Sequence, residues 1–253
     1  MLFRLVCCYS SSGSQEMQQQ IVVNSCNMPG VENSRLELDS HPEGQSSISF
    51  TEEIANSISH GFGLLLAIAI VPVLVLSAMR IGNIPFLVGA SVYGGTMVLL
   101  YLASTLYHSL THEGAKRFFR LFDHSAIFLL IAGTYTPFSL GVLRGPWGWT
   151  LLTIVWVLAV AGVTMKAIVG TRHSWLSIVL YLLMGWLAIV AVKPILQLVP
   201  LHGIFWILAG GIAYTGGLAF FAAPRLRYGH FIWHLFVIAG TTCHFFAVLW
   251  YAA

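Results

Sequence analysis

Only 8% of the 253 residues carry charge, 57% are apolar and the mean hydropathy is +0.82, values that exclude an ordinary soluble domain. The net charge of +3 is scattered over short connections and offers no basic face to a nucleic acid. Cys7, Cys8 and Cys26 fall in the N-terminal segment and Cys243 in the last apolar run, so no disulfide framework is implied.

Residues 1–50 come first in chain order. They hold five of the nine acids, Glu16, Glu32, Glu37, Asp39 and Glu43, and are rich in Ser, Gln and Asn, which predicts a disordered cytoplasmic tail. The apolar stretch in Met1–Cys8 is too short for a signal sequence. Ser49 and Glu52 stand at capping-box spacing and predict a first helix that begins ahead of the bilayer. From Ile54 onward, apolar runs of about 20 residues recur, each long enough to cross a hydrocarbon core of roughly 30 Å. Seven spans are expected, at about 58–79, 85–107, 124–142, 147–167, 175–192, 203–222 and 230–251. Residues 51–253 therefore read as one all-α domain, a seven-transmembrane-helix bundle with no soluble domain between spans. Pro137 is expected to kink the third span beside Thr134 and Thr136. Gly210, Gly211, Gly216 and Gly217 are expected to admit close packing in the sixth.

Basic residues set the expected orientation. The connections after spans one, three and five hold Arg80, Arg144 and Lys193, three in all. Those after spans two, four and six hold seven: Lys116, Arg117, Arg120, Lys166, Arg172, Arg225 and Arg227. The richer side is cytoplasmic. It is shared with the N-terminus, so the C-terminus, Tyr251-Ala252-Ala253, is placed outside. The expected location is the plasma membrane, as a multi-pass protein.

After Glu53 the chain uses two acids, Glu113 and Asp123. Glu113 stands in a polar connection, but Asp123 opens the apolar third run. A carboxylate there costs several kcal/mol unless it meets water, protein or a cation, which marks it as functional. Ser104 and His108 are four apart on one helix face, as are His230 and His234. By the predicted topology, His108, Asp123, His230 and His234 all reach the cytoplasmic end of the bundle. Three imidazoles from two helices suit a zinc site with an open fourth position, where zinc makes water nucleophilic near neutral pH. The residues between the paired histidines, Phe231, Ile232 and Trp233, supply no base, so Asp123 is the candidate base, or else a further ligand. Ser104 either donates to a developing oxyanion, orients the water, or back-bonds to its own helix. Glu53, Asn56 and His60 form a polar stripe at the start of span one that either supports the ligands from behind or is a solvated helix end. His244, about 21 Å along its helix from His230, cannot join them. His202 is expected in an outer connection, and His112, His124 and His173 are unassigned.

Glu53-x2-Asn56-x3-His60, Ser104-x3-His108, Asp123 and His230-x3-His234, in that order over seven spans, resemble the progestin and adipoQ receptor family. Glu53-Ile54-Ala55-Asn56-Ser57-Ile58-Ser59-His60-Gly61 resembles its bacterial branch, the haemolysin III proteins of the bacterial inner membrane. The resemblance covers about residues 52–251. It implies a zinc ion held by His108, His230 and His234, Asp123 near its water, and a cytoplasmic N-terminus. The related alkaline ceramidases hydrolyse lipid amides with a similar Ser, Asp and three-His set, and bacterial members are linked to membrane-fluidity homeostasis.

Three functions follow as expectations. The first is a ceramidase-like, zinc-dependent hydrolase of lipid amides or esters, with membrane lipids as partners and an acyl-chain lipid as substrate. The second is a fluidity or lipid sensor in which zinc is structural. The third is a cytolytic pore, which fits poorly because polarity gathers at one end instead of lining a full path.

Overall fold

The computed structural model describes residues 49–171, 174–223 and 225–253. The expectation of a disordered tail over residues 1–50 lies outside these, apart from Ser49 and Phe50, as does His173. Among the described residues all regular structure is helical.

Helix α1 (Phe50–Ile81) opens with the expected capping box. The Ser49 hydroxyl accepts from the Glu52 N–H at 3.3 Å, and the Glu52 carboxylate accepts from the Ser49 N–H at 2.9 Å. Gly82 closes it in the left-handed conformation (φ 73°) that glycine adopts without strain. Helix α2 (Ile84–Ser109) is capped by Asn83, with Pro85 in the first turn where a missing N–H costs nothing. Helices α3 (Glu113–Leu140), α4 (Pro146–Val169), α5 (Ser174–Gly185), α6 (Val192–Leu198), α7 (Leu201–Phe221) and α8 (Gly229–Tyr251) follow.

Two boundaries differ from expectation for physical reasons. Helix α3 starts at Glu113, well before the predicted 124, because Lys116, Arg117 and Arg120 tolerate a helix that projects out of the apolar zone. Glu113 is its first residue and not a loop residue, and His112 caps it by accepting from the Ala115 N–H. The fifth span, predicted as continuous over 175–192, breaks at Gly185 into a 3-10 segment (Leu187–Ala191) and resumes as α6. A side chain from α3 satisfies the break: the Tyr135 hydroxyl donates to the Gly185 carbonyl at 2.9 Å and accepts from the Ala188 N–H at 3.0 Å. Lys193 thus lies in α6, and His202 in the first turn of α7, instead of in connections.

Among the described residues, six stretches are long and apolar enough to cross a membrane: α1, α2, α4, Trp175–Leu198, α7 and α8. Helix α3 falls short because Asp123, His124, Gly133, Thr134, Thr136 and Pro137 dilute its apolar face. The outside of the bundle is apolar: Ile58, Phe62, Leu65 and Ile68 of α1 are each more than half exposed. The inside carries the polarity, with Tyr93, Thr96, Tyr101, Ser104 and His108 of α2 all buried. Half of the span of α2 and 44% of that of α8 is buried, against 17–22% for the other four, so these two form the interior together with α3, which buries Asp123, Phe128, Leu130 and Thr136.

Glycine sets the closest approaches. A Cβ on Gly89 would lie 2.6 Å from the Pro137 Cα, so α2 and α3 touch backbone to backbone. Gly89→Ala is therefore expected to push the two helices apart and cost about 1–3 kcal/mol, the usual penalty of overpacking. Thermal unfolding in detergent checks this. Gly210 packs under the His244 ring and Gly217 under Phe236 and Trp233, as expected, and a Cβ on Gly216 would lie 3.4 Å from the Phe236 ring. Gly211 meets nothing and faces a cavity instead. Thr134 and Thr136 bond the carbonyls of Leu130 and Ala132, at 2.8 Å each, and not the Gly133 carbonyl that Pro137 leaves without its usual donor.

Candidate metal centre

Helices α2 and α8 run alongside each other, with Tyr93 of one bonding the Thr241 carbonyl of the other. The last turn of α2 lies beside the first two turns of α8, which brings His108 against His230 and His234. Ring centroids are 5.0 Å apart for His108 and His230, 5.1 Å for His108 and His234, and 4.6 Å for His230 and His234. One nitrogen from each ring lies within 4.8 Å of the other two, a set able to hold a metal ion. Among the described residues, Asp123 is not part of that set.

The hydrogen bonds behind the rings fix which nitrogen is free. His108 Nδ1 lies 2.6 Å from Glu53 Oε2. A carboxylate only accepts, so Nδ1 carries the hydrogen and Nε2 keeps its lone pair. His234 Nδ1 lies 3.0 Å from Ser59 Oγ and 3.2 Å from the Asn56 carbonyl. Ser59 gives its one hydrogen to that same carbonyl at 2.8 Å, so both neighbours of Nδ1 accept and it too must donate. The Nε2 atoms of His108 and His230 are buried and have no hydrogen-bond partner among the described residues. Metal-binding histidines have this arrangement, with one nitrogen tied to a carboxylate or carbonyl and the other bare. The residues present fit a metal ion.

Asp123 is buried in the third turn of α3, so it does not cap that helix, whose N-cap is His112. It lines a small cavity with His60, His124, His230 and His234. Ser104 is fully buried beside the Asp123 carboxyl, outside hydrogen-bond geometry. Its neighbours Thr105 and Ser109 bond carbonyls four residues earlier, and Ser104 does not, so back-bonding does not account for it. The stripe on α1 is not a solvated helix end either. Asn56 and His60 are buried, and His60 stacks on His234 with centroids 3.5 Å apart and 13° between planes. Asn56 contributes its backbone carbonyl, and not its side-chain amide, to His234. His244 stands away from the cluster, as expected, with Nε2 donating to the Ile207 carbonyl at 3.1 Å.

Residues 48–245 match the family described as haemolysin-III related. The chain belongs to that family. This haemolysin-III protein is 49% identical to Hemolysin-3 of Bacillus cereus over 200 residues, covering 79% of this chain and 91% of that one. It is 46% identical to the Hemolysin-3 homolog of Bacillus subtilis (strain 168) over 200 residues, covering 79% and 94%. It is distantly related to the human Monocyte to macrophage differentiation factor, 26% identical over 213 residues, covering 78% and 83%. Like its family it is a multi-pass membrane protein.

Ser59 and Lys116 belong to the site of this haemolysin-III protein and escaped the sequence reading. Ser59, three residues after Asn56 and one before His60, lies between two stripe residues, a local signal that was available. Lys116 counted only as a topogenic charge, yet its Nζ lies 2.7 Å from Glu53 Oε1 and 5.6 Å over the Tyr107 ring. No spacing rule joins residues 53 and 116.

Proposed function

We propose that this protein is a zinc-dependent hydrolase of lipid amides or esters, acting in the cytoplasmic leaflet on a lipid held within the bundle. The observation that carries the reading is the convergence of three imidazoles, two of them with a bare buried nitrogen, next to a cavity lined by a buried carboxylate. Zinc is the metal this donor set suits, and three protein ligands leave the open position that a catalytic site keeps and a structural one closes. When bound, it supplies Lewis acidity that polarises a carbonyl and acidifies water. Asp123 then takes the proton of the attacking water and delivers it to the leaving amine or alcohol. Ser104 donates to the oxygen that gains charge. His60, against the flat face of His234, keeps that ring from turning.

Room for an acyl chain adjoins the polar end. The cavity at Asp123 shares Leu100, Ile127, Trp233 and Val237 with an apolar one. That one shares Tyr135, Trp186, Gly211 and His244 with another, also mostly apolar. An apolar suite that starts at a polar head suits a lipid better than a soluble substrate.

The test is hydrolysis by purified protein in ceramide or ester-lipid micelles, with lipid profiles of cells with and without it. Fatty acid release is expected, abolished by a chelator and restored by zinc. Zinc-loaded protein that releases no fatty acid, from cells whose lipids do not change, would sink the reading.

The leaflet follows from a seven-span topology with a cytoplasmic N-terminus, in which α3, third in chain order, is the span added to the six above. Its burial of Phe128, Leu130 and Ala132 among the other helices supports this. A cysteine placed at exposed Thr111 should be labelled from the cytoplasmic side and one at Ala253 from outside. The reverse pattern moves the site to the other leaflet.

A further inference from the structure

Helix α1 contributes no nitrogen to the cluster, yet it touches every element that does. The Glu53 carboxylate uses each oxygen once, Oε2 with His108 on α2 at 2.6 Å and Oε1 with Lys116 on α3 at 2.7 Å. Lys116 is in turn seated over the Tyr107 ring, which lies 4.3 Å from the His108 ring. Three helix ends thus meet on one carboxylate at the mouth of the site.

We propose that Lys116 is a positioning residue: by fixing Glu53 it sets the orientation of His108 and so the affinity and geometry of the metal centre. The proposal rests on the metal reading above. Two effects of opposite sign compete here. A cationic Lys116 near a dication opposes metal binding by charge alone, so a neutral residue in its place would tighten binding. Held by one partner instead of two, Glu53 regains side-chain freedom, and the His108 ring loses its fixed hydrogen-bond acceptor. Supporting groups of this kind are worth about 10–100-fold in metal affinity. Lys116 is one-third exposed, so its charge is screened, whereas the His108 ring is buried and has no other acceptor at Nδ1. Geometry therefore outweighs charge, and the sign of the effect is the test.

Zinc affinity of the full chain in detergent is measured by competition with a chromophoric chelator, and the visible spectrum of the cobalt-loaded protein is recorded. Lys116→Met and Lys116→Gln are expected to bind zinc about tenfold more weakly with an altered cobalt band, Glu53→Gln about 10–100-fold more weakly, and Lys116→Arg to restore both readouts. Helix content and monodispersity should match the parent, since Lys116 lies in the first turn of α3. Unchanged or tighter zinc binding with a parental cobalt band in both neutral variants would overturn the proposal while leaving the metal reading intact. A parent protein that binds neither zinc nor cobalt would overturn both.

Discussion

Purified protein is expected to hold about one zinc per chain, and the triple change of His108, His230 and His234 to Ala to hold none. Each ring contributes one nitrogen to a set whose members lie within 4.8 Å, so no single ring is spare. A single His→Ala change should weaken zinc by more than the roughly 100-fold that supporting residues cost. Binding to the folded state alone also links metal to stability: at free zinc 100 times its Kd the gain is about 2.7 kcal/mol. A chelator should therefore lower the thermal midpoint of the parent and leave the triple mutant unmoved. Elemental analysis with melting curves reads both, and full zinc in the triple mutant would remove these histidines from the site.

The second large effect falls on Asp123. Asp123→Asn keeps the size of the side chain and one acceptor oxygen but removes the basic carboxylate that takes a proton. Lipid hydrolysis should fall by about 10²–10⁴-fold, the usual share of general-base catalysis. Zinc content should persist, because Asp123 lines the cavity but stands outside the converging nitrogens. Zinc loss in Asp123→Asn would make the carboxylate a ligand, and undiminished turnover would remove it from the chemistry.

The residues that announced themselves in the sequence did so because membranes make polarity expensive. Asp123 and the paired histidines stood out against apolar runs, and helix periodicity placed each pair on one face. The long helices were legible for the same reason, as was the start of α1, where Ser49 and Glu52 lie close in sequence. Long-range partners stayed hidden. The break after Gly185 is satisfied by a tyrosine 50 residues upstream, and nothing within the fifth run signals that an acceptor and donor await it. Helix α3 begins well ahead of the span expected from residue 124, because charge ends a helix's passage through lipid and not the helix itself. Lys116 shows the same limit, since its partner lies 63 residues away.

The Glu52 carboxylate that caps α1 also accepts from the Tyr228 N–H at 2.7 Å, at the entrance to α8. Glu52 thereby clasps the beginning of the bundle to its final helix, across 176 residues of chain. During synthesis the first helix reaches the membrane long before the last. His230 and His234 arrive only when translation is almost complete, so a chain stalled or cut before α8 offers His108 alone. On the proposed metal reading, capture would be a late event in biogenesis, and a loaded centre would certify that the whole bundle has been inserted and closed.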